Sequence, residues 1–491
     1  MYIAKLALAA PTVLLFVAAL GLPGTACKKQ QPAAPTEAPD DVTPLPPPPA
    51  DPVPDAADAG SPPAAADVAP PPGNAPAVPT ADTAEPPAPD TPDAQPPPAA
   101  EAAPLTEEEA RIVAAAVNGL AGDLHPRLAE GRTNMAFSPT SIALALAMTS
   151  GGARSETADQ MNAVLHLGDD PDQTRELLAR EQRLLVAAGS ETVKLAIANR
   201  LFGERSYTFV PEFLEWTATQ FAAPLEAVDF RGAPEPSRAR VNAWVNEQTH
   251  ERIPEILPTG SIDSDTRLVL ANAIWFKGQW LLQFEEQATR PRPFTLAGGS
   301  KVEVPMMART APLRFANRGG TKLLELPYDG EELSMLVVLP PDDEPPDSWL
   351  TAANLEGIGR LPQQEVEVWL PRFKIDPPTP TKLNADLEAL GMPRAFERTQ
   401  AEFEGIGDPP NPVDKLYVSA VFHRAFVEVN EEGTEAAAAT AVVMARLGGG
   451  IAVDHGPARF HADHPFLFLI RENRTGLVLF VGRVGDPRTT G

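Results

Sequence analysis

The sequence predicts an α+β protein in which one large folded domain follows a long unfolded leader. Three observations carry that reading. From Gln30 to about Pro104 the residues are almost all Pro, Ala, Asp, Glu, Gly and Thr, with too little apolar bulk to offset the entropy of ordering. Beyond Pro104 the pattern changes to segments with helical periodicity interleaved with β-rich apolar runs. No internal repeat is visible, so the 491 residues hold one domain and a leader rather than an array.

Along the chain, residues 1–27 carry a lysine (Lys5), the apolar run "LALAAPTVLLFVAAL" and then "GLPGTAC". The run is short and ends in small residues, which reads as a secretion signal rather than a membrane span. Cys27 is the single cysteine, so no disulfide is expected. Residues 28–104 read as a disordered Pro/Ala-rich acidic spacer. At roughly 3 Å per residue when extended, it reaches on the order of 200 Å. The formal net charge is −26 and no basic cluster stands out, which argues against a nucleic-acid partner.

The folded domain is expected over residues 105–491. "LTEEEARIVAAAVNGLAGDL" is helical, with Thr106 and Glu109 at capping-box spacing. "SPTSIALALAMTSGG" reads as a buried apolar helix that starts at Ser138 and Pro139 and stops at Gly151 and Gly152. Strands are expected in "TRLVLANAIWFKGQW", "KVEVPMM", "TKLLELPY", "LSMLVVLP", "VEVWLPRFKI" and "HPFLFLI", and over the alternating run "LYVSAVFHRAFVEVN". The stretch "EEGTEAAAATAVV", Glu431 to Val443, is a good helix by propensity alone, but it lies between two of these strands. As a strand it would put Thr434, Ala436, Ala438, Thr440 and Val442 on one face and Glu435 on the other. A charge on the first face would be buried without a partner, at a cost of several kcal/mol.

These segments, with "NMAFSPTSIALALAMTSGGARSETADQM", "VNAWVNEQTHERIPEILP", "LPRFKI" and "HPFLFLIRENRTGLVLFVGRV", occur in the order of the serpin family, and residues 105–488 resemble a serpin from end to end. The resemblance implies three β-sheets, eight to nine helices and an exposed C-terminal reactive loop at about 431–459. It makes Glu431, Gly433, Thr434, Glu435, Ala436, Ala437, Ala438, Ala439 and Thr440 the hinge, which inserts into the large sheet once the loop is cut. Gly433 then supplies a pivot whose backbone angles change freely. Ser138, Ser141, Asn272 and His423 match the shutter beneath the parting strands. On the residues alone they would be a capping serine, a helix hydroxyl and satisfied core groups. Trp280 matches the breach, where insertion begins.

The function that this resemblance implies is a suicide inhibitor of serine proteases, which forms a covalent acyl-enzyme complex as a monomer. Counting from Glu431 puts the scissile bond at Leu447–Gly448, which suits chymotrypsin-, elastase- or subtilisin-like targets. A count one residue shorter puts it at Arg446–Leu447 and suits a trypsin-like pocket. A non-inhibitory serpin with a binding or structural role, and a cross-class inhibitor of cysteine proteases, are the alternatives. Cys27 after its apolar run resembles the lipobox of bacterial lipoproteins, with Gly24 where that motif more often has an aliphatic residue. That resemblance implies export across the inner membrane and lipid anchorage at the bacterial cell envelope or surface.

No cofactor is implied, since the helical region after Gln160 lacks a dense basic face. His455, His461 and His464 cluster, but no second carboxylate or cysteine cluster supports them, so no metal is expected. No G-x-S-x-G elbow is present, which argues against a serine hydrolase. Asn473 begins an N-x-T sequon.

Overall fold

Two antiparallel strands of twelve residues, β2 (Val193–Glu204) and β4 (Leu268–Gln279), form the backbone of the sheet that matters for function. They pair continuously from Val193 opposite Gly278 to Gly203 opposite Leu268. The computed structural model describes residues 103–407, 409, 411, 415–434 and 456–489. Cys27 and the spacer, hinge residues Glu435 to Thr440, the candidate cut-site residues Arg446, Leu447 and Gly448, and His455 lie outside them.

Eight α-helices occur among the described residues. α1 (Glu107–Ala129) starts at Thr106, where the reciprocal capping box forms: Thr106 Oγ1 accepts from the Glu109 N–H at 3.3 Å and Glu109 Oε2 from the Thr106 N–H at 2.8 Å. α2 (Pro139–Gly151) is apolar nearly all round and buried nearly all round, as such a helix must be. Ser138 Oγ caps it by accepting from the Ser141 N–H, with Pro139 in the first turn. α3 (Ser155–Val164), α4 (Pro171–Ala187), α5 (Pro211–Gln220), α6 (Pro234–Gln248), α7 (Ala352–Glu356) and α8 (Asn384–Leu390) complete the set.

The strands form three sheets. The largest has nine strands in the order β1-β17-β16-β8-β7-β6-β9-β15, with β5 added on β6. Its members are β1 (Met135–Phe137), β5 (Arg290–Thr295), β6 (Lys301–Arg318), β7 (Thr321–Pro327), β8 (Leu333–Leu339), β9 (Gln363–Pro371), β15 (Ala458–His461), β16 (Phe466–Glu472) and β17 (Val478–Val484). β8, β16 and β17 are buried along almost their whole length and anchor the main core. The six-stranded sheet runs β10-β13-β14-β4-β2-β3 and adds β3 (Leu225–Val228), β10 (Phe373–Ile375), β13 (Val427–Val429) and β14 (Gly433–Thr434). β11 (Thr381–Lys382) and β12 (Phe422–His423) form a two-stranded pair. α6 covers the six-stranded sheet through a smaller apolar cluster, in which Trp244 meets Phe202 of β2 edge-on at 5.8 Å.

One expectation is realised only in part. The run Leu416 to Asn430 alternates like a strand, yet only Phe422–His423 and Val427–Val429 join ladders. Its lower half faces the Leu268–Asn272 end of β4, and among the described residues the two segments share no ladder. A cavity of about 120 Å³ lies between them, lined by Leu268, Leu270, Asn272, Leu416, Val418 and His423 among others. Alternation records which face of a segment is buried and carries no information about whether a neighbouring strand is within hydrogen-bonding reach.

Candidate functional site

The site is the mouth of that gap. The chain leaves β13, turns through Asn430 to Glu432, and enters the sheet as β14 between β13 and β4. Asn430 makes the turn: its Oδ1 accepts from the N–H groups of Glu432 (3.0 Å) and Gly433 (3.2 Å), and its own N–H donates to Gly433 O at 3.0 Å. Gly433 then pairs with Gln279, and Thr434 with Gly278 on one side and Val429 on the other. Gly433 is needed here for space rather than for a left-handed backbone, since a Cβ on it would lie 1.9 Å from Gly278 O. The pivot reading of Gly433 is therefore joined by a simpler one: two backbones approach too closely for any side chain.

Side chains lock the turn in place. Trp280 donates its backbone N–H to Glu432 O at 2.8 Å and its indole Nε1–H to Asn430 O at 3.0 Å. Its ring stacks on Tyr328 at 4.7 Å, and the Tyr328 hydroxyl meets Thr434 Oγ1 at 2.7 Å. Thr434 and Tyr328 are both buried, and burial pushes the Tyr328 hydroxyl up, so it remains protonated. Glu431 is 4 % exposed; its carboxylate accepts from Arg372 Nε (2.7 Å) and Nη2 (2.6 Å) and from the Thr289 hydroxyl. Burial alone would raise this carboxyl, but the Arg372 and Thr289 hydrogen bonds outweigh it and hold it below the usual range. Glu432 behaves oppositely: burial and the nearby Glu286 raise it.

The second part lies lower in the gap, where the structure brings Ser138, Ser141, Asn272 and His423 together. The Ser138 N–H donates to His423 Nε2 at 3.0 Å, and the Ser141 hydroxyl donates to Asn272 Oδ1. Asn272 Nδ2 donates in turn to Asn199 Oδ1, and Asn199 Nδ2 to Gln182 Oε1 at 2.9 Å. His423 and Asn272 thus stand on opposite sides of the gap, both held by the N-terminal end of α2. Burial pushes His423 down to about 4, so it is neutral at pH 7 with Nε2 free to accept.

Sequence reasoning missed Tyr328, Arg372, Asn430, Asn199 and Gln182. Tyr328 and Arg372 sit inside the strand motifs "TKLLELPY" and "LPRFKI", but nothing in a motif reveals that two residues far apart in sequence clasp the same turn. Of the histidines weighed as ligands, His461 stacks on Trp369 at 3.6 Å and His464 Nε2 meets Pro340 O at 2.8 Å. No group of three or more His, Cys, Asp or Glu among the described residues could hold a metal ion. Of the three arginines of α4, Arg175 binds Ser150, Asn162 and Asp172, Arg180 pairs with Glu109, and Arg183 donates to Gln220 O. Asn473 is engaged by the Ser334 hydroxyl at 2.6 Å and by Glu331 O at 2.8 Å.

A sheet with two separated edges and a tethered segment entered at its mouth defines a class of protein built to accept one more strand. The chain belongs to the serpin family: Serpin (serine protease inhibitor) matches residues 115–487. Among its relatives are the leukocyte elastase inhibitor of Xenopus tropicalis, 40 % identical over 368 residues that cover 72 % of this chain and 93 % of that protein, and the human leukocyte elastase inhibitor, 38 % identical over 375 residues with the same coverage. Among solved structures, uncleaved ovalbumin superposes with a TM-score of 0.66 at 29 % identity, covering 76 % of this chain and all of ovalbumin. The thermophilic serpin tengpin in its native state reaches 0.68 at 27 % identity, covering 79 % of this chain and 96 % of tengpin.

The neutral, buried His423 makes stability depend on pH. The unfolded chain binds a proton on this imidazole below about pH 6.5 and the folded protein only below about 4, so stability falls as pH drops through that window. The loss reaches about 3 kcal/mol. Urea unfolding at pH 7 and pH 4.5 measures it. His423→Gln, which offers an acceptor without a titrating proton, is expected to lose less stability between those pH values than the wild type; an identical loss would refute the assignment.

Proposed function

We propose that the chain is a suicide inhibitor of serine proteases that traps its target by completing the insertion begun at Gly433 and Thr434. The observation that carries this reading is the register of β14 on β4. Continued residue by residue, that register sets Ala436 opposite Phe276, Ala438 opposite Ile274 and Thr440 opposite Asn272. The β13 register sets the same Thr440 opposite His423. The face that follows the buried Thr434 is small or hydroxylated, so a strand could enter between packed neighbours without displacing them. Glu435 falls on the other face, opposite Lys277. Each new ladder bond contributes about 1 kcal/mol net, and insertion supplies a run of them to edges that share no ladder among the described residues.

The chemistry belongs to the target. Its serine attacks the carbonyl of the cut-site residue, the peptide bond breaks with release of the new amine, and an ester joins the inhibitor to the protease. Insertion draws that ester away before water can hydrolyse it. Leu447 offers an apolar side chain to the specificity pocket, in keeping with relatives named leukocyte elastase inhibitors. At the other end, the apolar run before Cys27 supports export and lipid attachment of the cysteine at a bacterial envelope, with residues 28–104 as the spacer that projects a monomeric inhibitor outward.

Incubation with a protease panel, read by denaturing electrophoresis and intact mass, tests the class: a covalent complex with a serine protease is expected. Thr434→Arg should abolish the complex while cleavage continues, because the guanidinium would have to replace a hydroxyl that is buried against Tyr328. Complex formation at wild-type stoichiometry by that variant would defeat the insertion argument, and cleavage without any complex in the wild type would favour a non-inhibitory serpin.

The released peptide reports the cut. A peptide beginning at Gly448, with loss of chymotrypsin trapping in Leu447→Ala, is expected; a peptide beginning at Leu447, with trypsin trapping lost in Arg446→Ala, would move the bond by one residue. Cys27→Ser should shift the protein from the detergent phase to the aqueous phase, and unchanged partitioning would refute the anchor.

A further inference from the structure

A second cavity lies below the gap, and loop insertion makes no use of it. It measures about 590 Å³, within the range of small-molecule sites. Arg132, Lys382 and Arg424 line it, and no Asp or Glu among the described residues does, in a chain whose net charge is −26. From this geometry we infer that the cavity is a binding site for a small organic anion with an apolar body.

The charges there are under-compensated. Arg424 is the deepest cation, its side chain only 9 % exposed. Its Nη2 donates to Asp376 Oδ1 at 2.9 Å and its Nη1 to Glu255 O at 3.5 Å, while its Nε–H, itself buried, has no hydrogen-bond partner among the described residues. That buried N–H is a local cost of the packing around Arg424, and the cavity's positive character rests on the three cations that line it. Asp376 is also shared, since Lys374 Nζ lies 3.3 Å from its other oxygen, so one carboxylate faces two cations. Arg132 donates from Nη1 to the neutral Thr381 Oγ1 at 3.2 Å, which sets its guanidinium beside β11, next to Lys382. Neither Arg132 nor Lys382 has an ion-pair partner among the described residues.

The walls choose the rest of the ligand. Ile375, Pro378 and Ala425 line the same cavity, so a bare inorganic ion would leave apolar surface unfilled. A carboxylate or phosphate head on the three cations, with an aromatic or aliphatic body against the proline-rich wall, satisfies both halves. Bidentate acceptance from a guanidinium is the geometry that such heads prefer. His423 lines this cavity as well as the gap above it, so an occupant touches the strand that carries the shutter histidine.

Isothermal titration of the full chain at fixed ionic strength, with phenyl phosphate, benzoate, inorganic phosphate and benzyl alcohol as probes, tests the site. Saturable binding of phenyl phosphate or benzoate is expected, tighter than that of inorganic phosphate, with none for benzyl alcohol. Lys382→Gln and Arg132→Gln, both at exposed positions, should each weaken binding about tenfold, or about 1.4 kcal/mol. Arg424→Gln should abolish it, and since that change also leaves Asp376 with one cation fewer, the two exposed variants decide the matter if it fails to fold. Binding of benzyl alcohol as tight as that of the anions, no saturable binding of either organic anion, or full affinity in both Lys382→Gln and Arg132→Gln would overturn the proposal.

Discussion

Everything in this protein turns on a pair of strand edges kept apart. The Leu268–Asn272 end of β4 and the Leu416–His423 segment flank one cavity and form no ladder with each other among the described residues. Unpaired strand edges are ordinarily a liability, because they template pairing with any extended chain. Here the liability is directed at one segment, since the chain that turns at Asn430 enters between the same two strands at their upper end. The hinge needs no recognition surface beyond the ladder itself.

The mouth of the gap is held by interactions of two kinds. Some bind the turn before the hinge: Glu431 on Arg372, and Trp280 on the carbonyls of Asn430 and Glu432. These hold the pivot still. Others bind the first inserted residues, namely the Thr434 hydroxyl on Tyr328 and the side-chain-free approach of Gly433 to Gly278. These favour entry. Lower down, α2 holds the two sides of the gap separately, Asn272 through the Ser141 hydroxyl and His423 through the Ser138 N–H. A strand arriving at that level meets polar groups already oriented on both sides, which is the arrangement least demanding of rearrangement at a buried site.

The cavity below the gap adds a charge pattern that runs against the whole chain. Its cations come from three separate stretches, at 132, 382 and 424, and are gathered by the β11–β12 pair and the loop before β1. An anion seated there contacts the same β12 strand that borders the gap, so ligand chemistry and strand insertion share a structural neighbour.

Much was legible in the sequence, and the reason is local. Helix starts were readable from Thr106, Glu109, Ser138 and Pro139 because capping is settled within four residues. Apolar runs such as Leu333–Leu339 announced buried strands because burial on both faces leaves no room for alternation. On its residues alone Glu431–Val443 reads as a helix, and the hinge and shutter readings came only from the order of the motifs along the chain. The gap was not legible, since the Leu416–Asn430 run alternates in the same way whether or not a partner lies within reach. Neither were Tyr328, Arg372 and the trio Arg132, Lys382 and Arg424, whose roles exist only where strands distant in sequence meet. Side-chain period and capping are properties of a short segment and are written in order along the chain; separation between two strands, the clasp on a turn and the sum of charges around a cavity are properties of distances in space, and only the tertiary structure sets those.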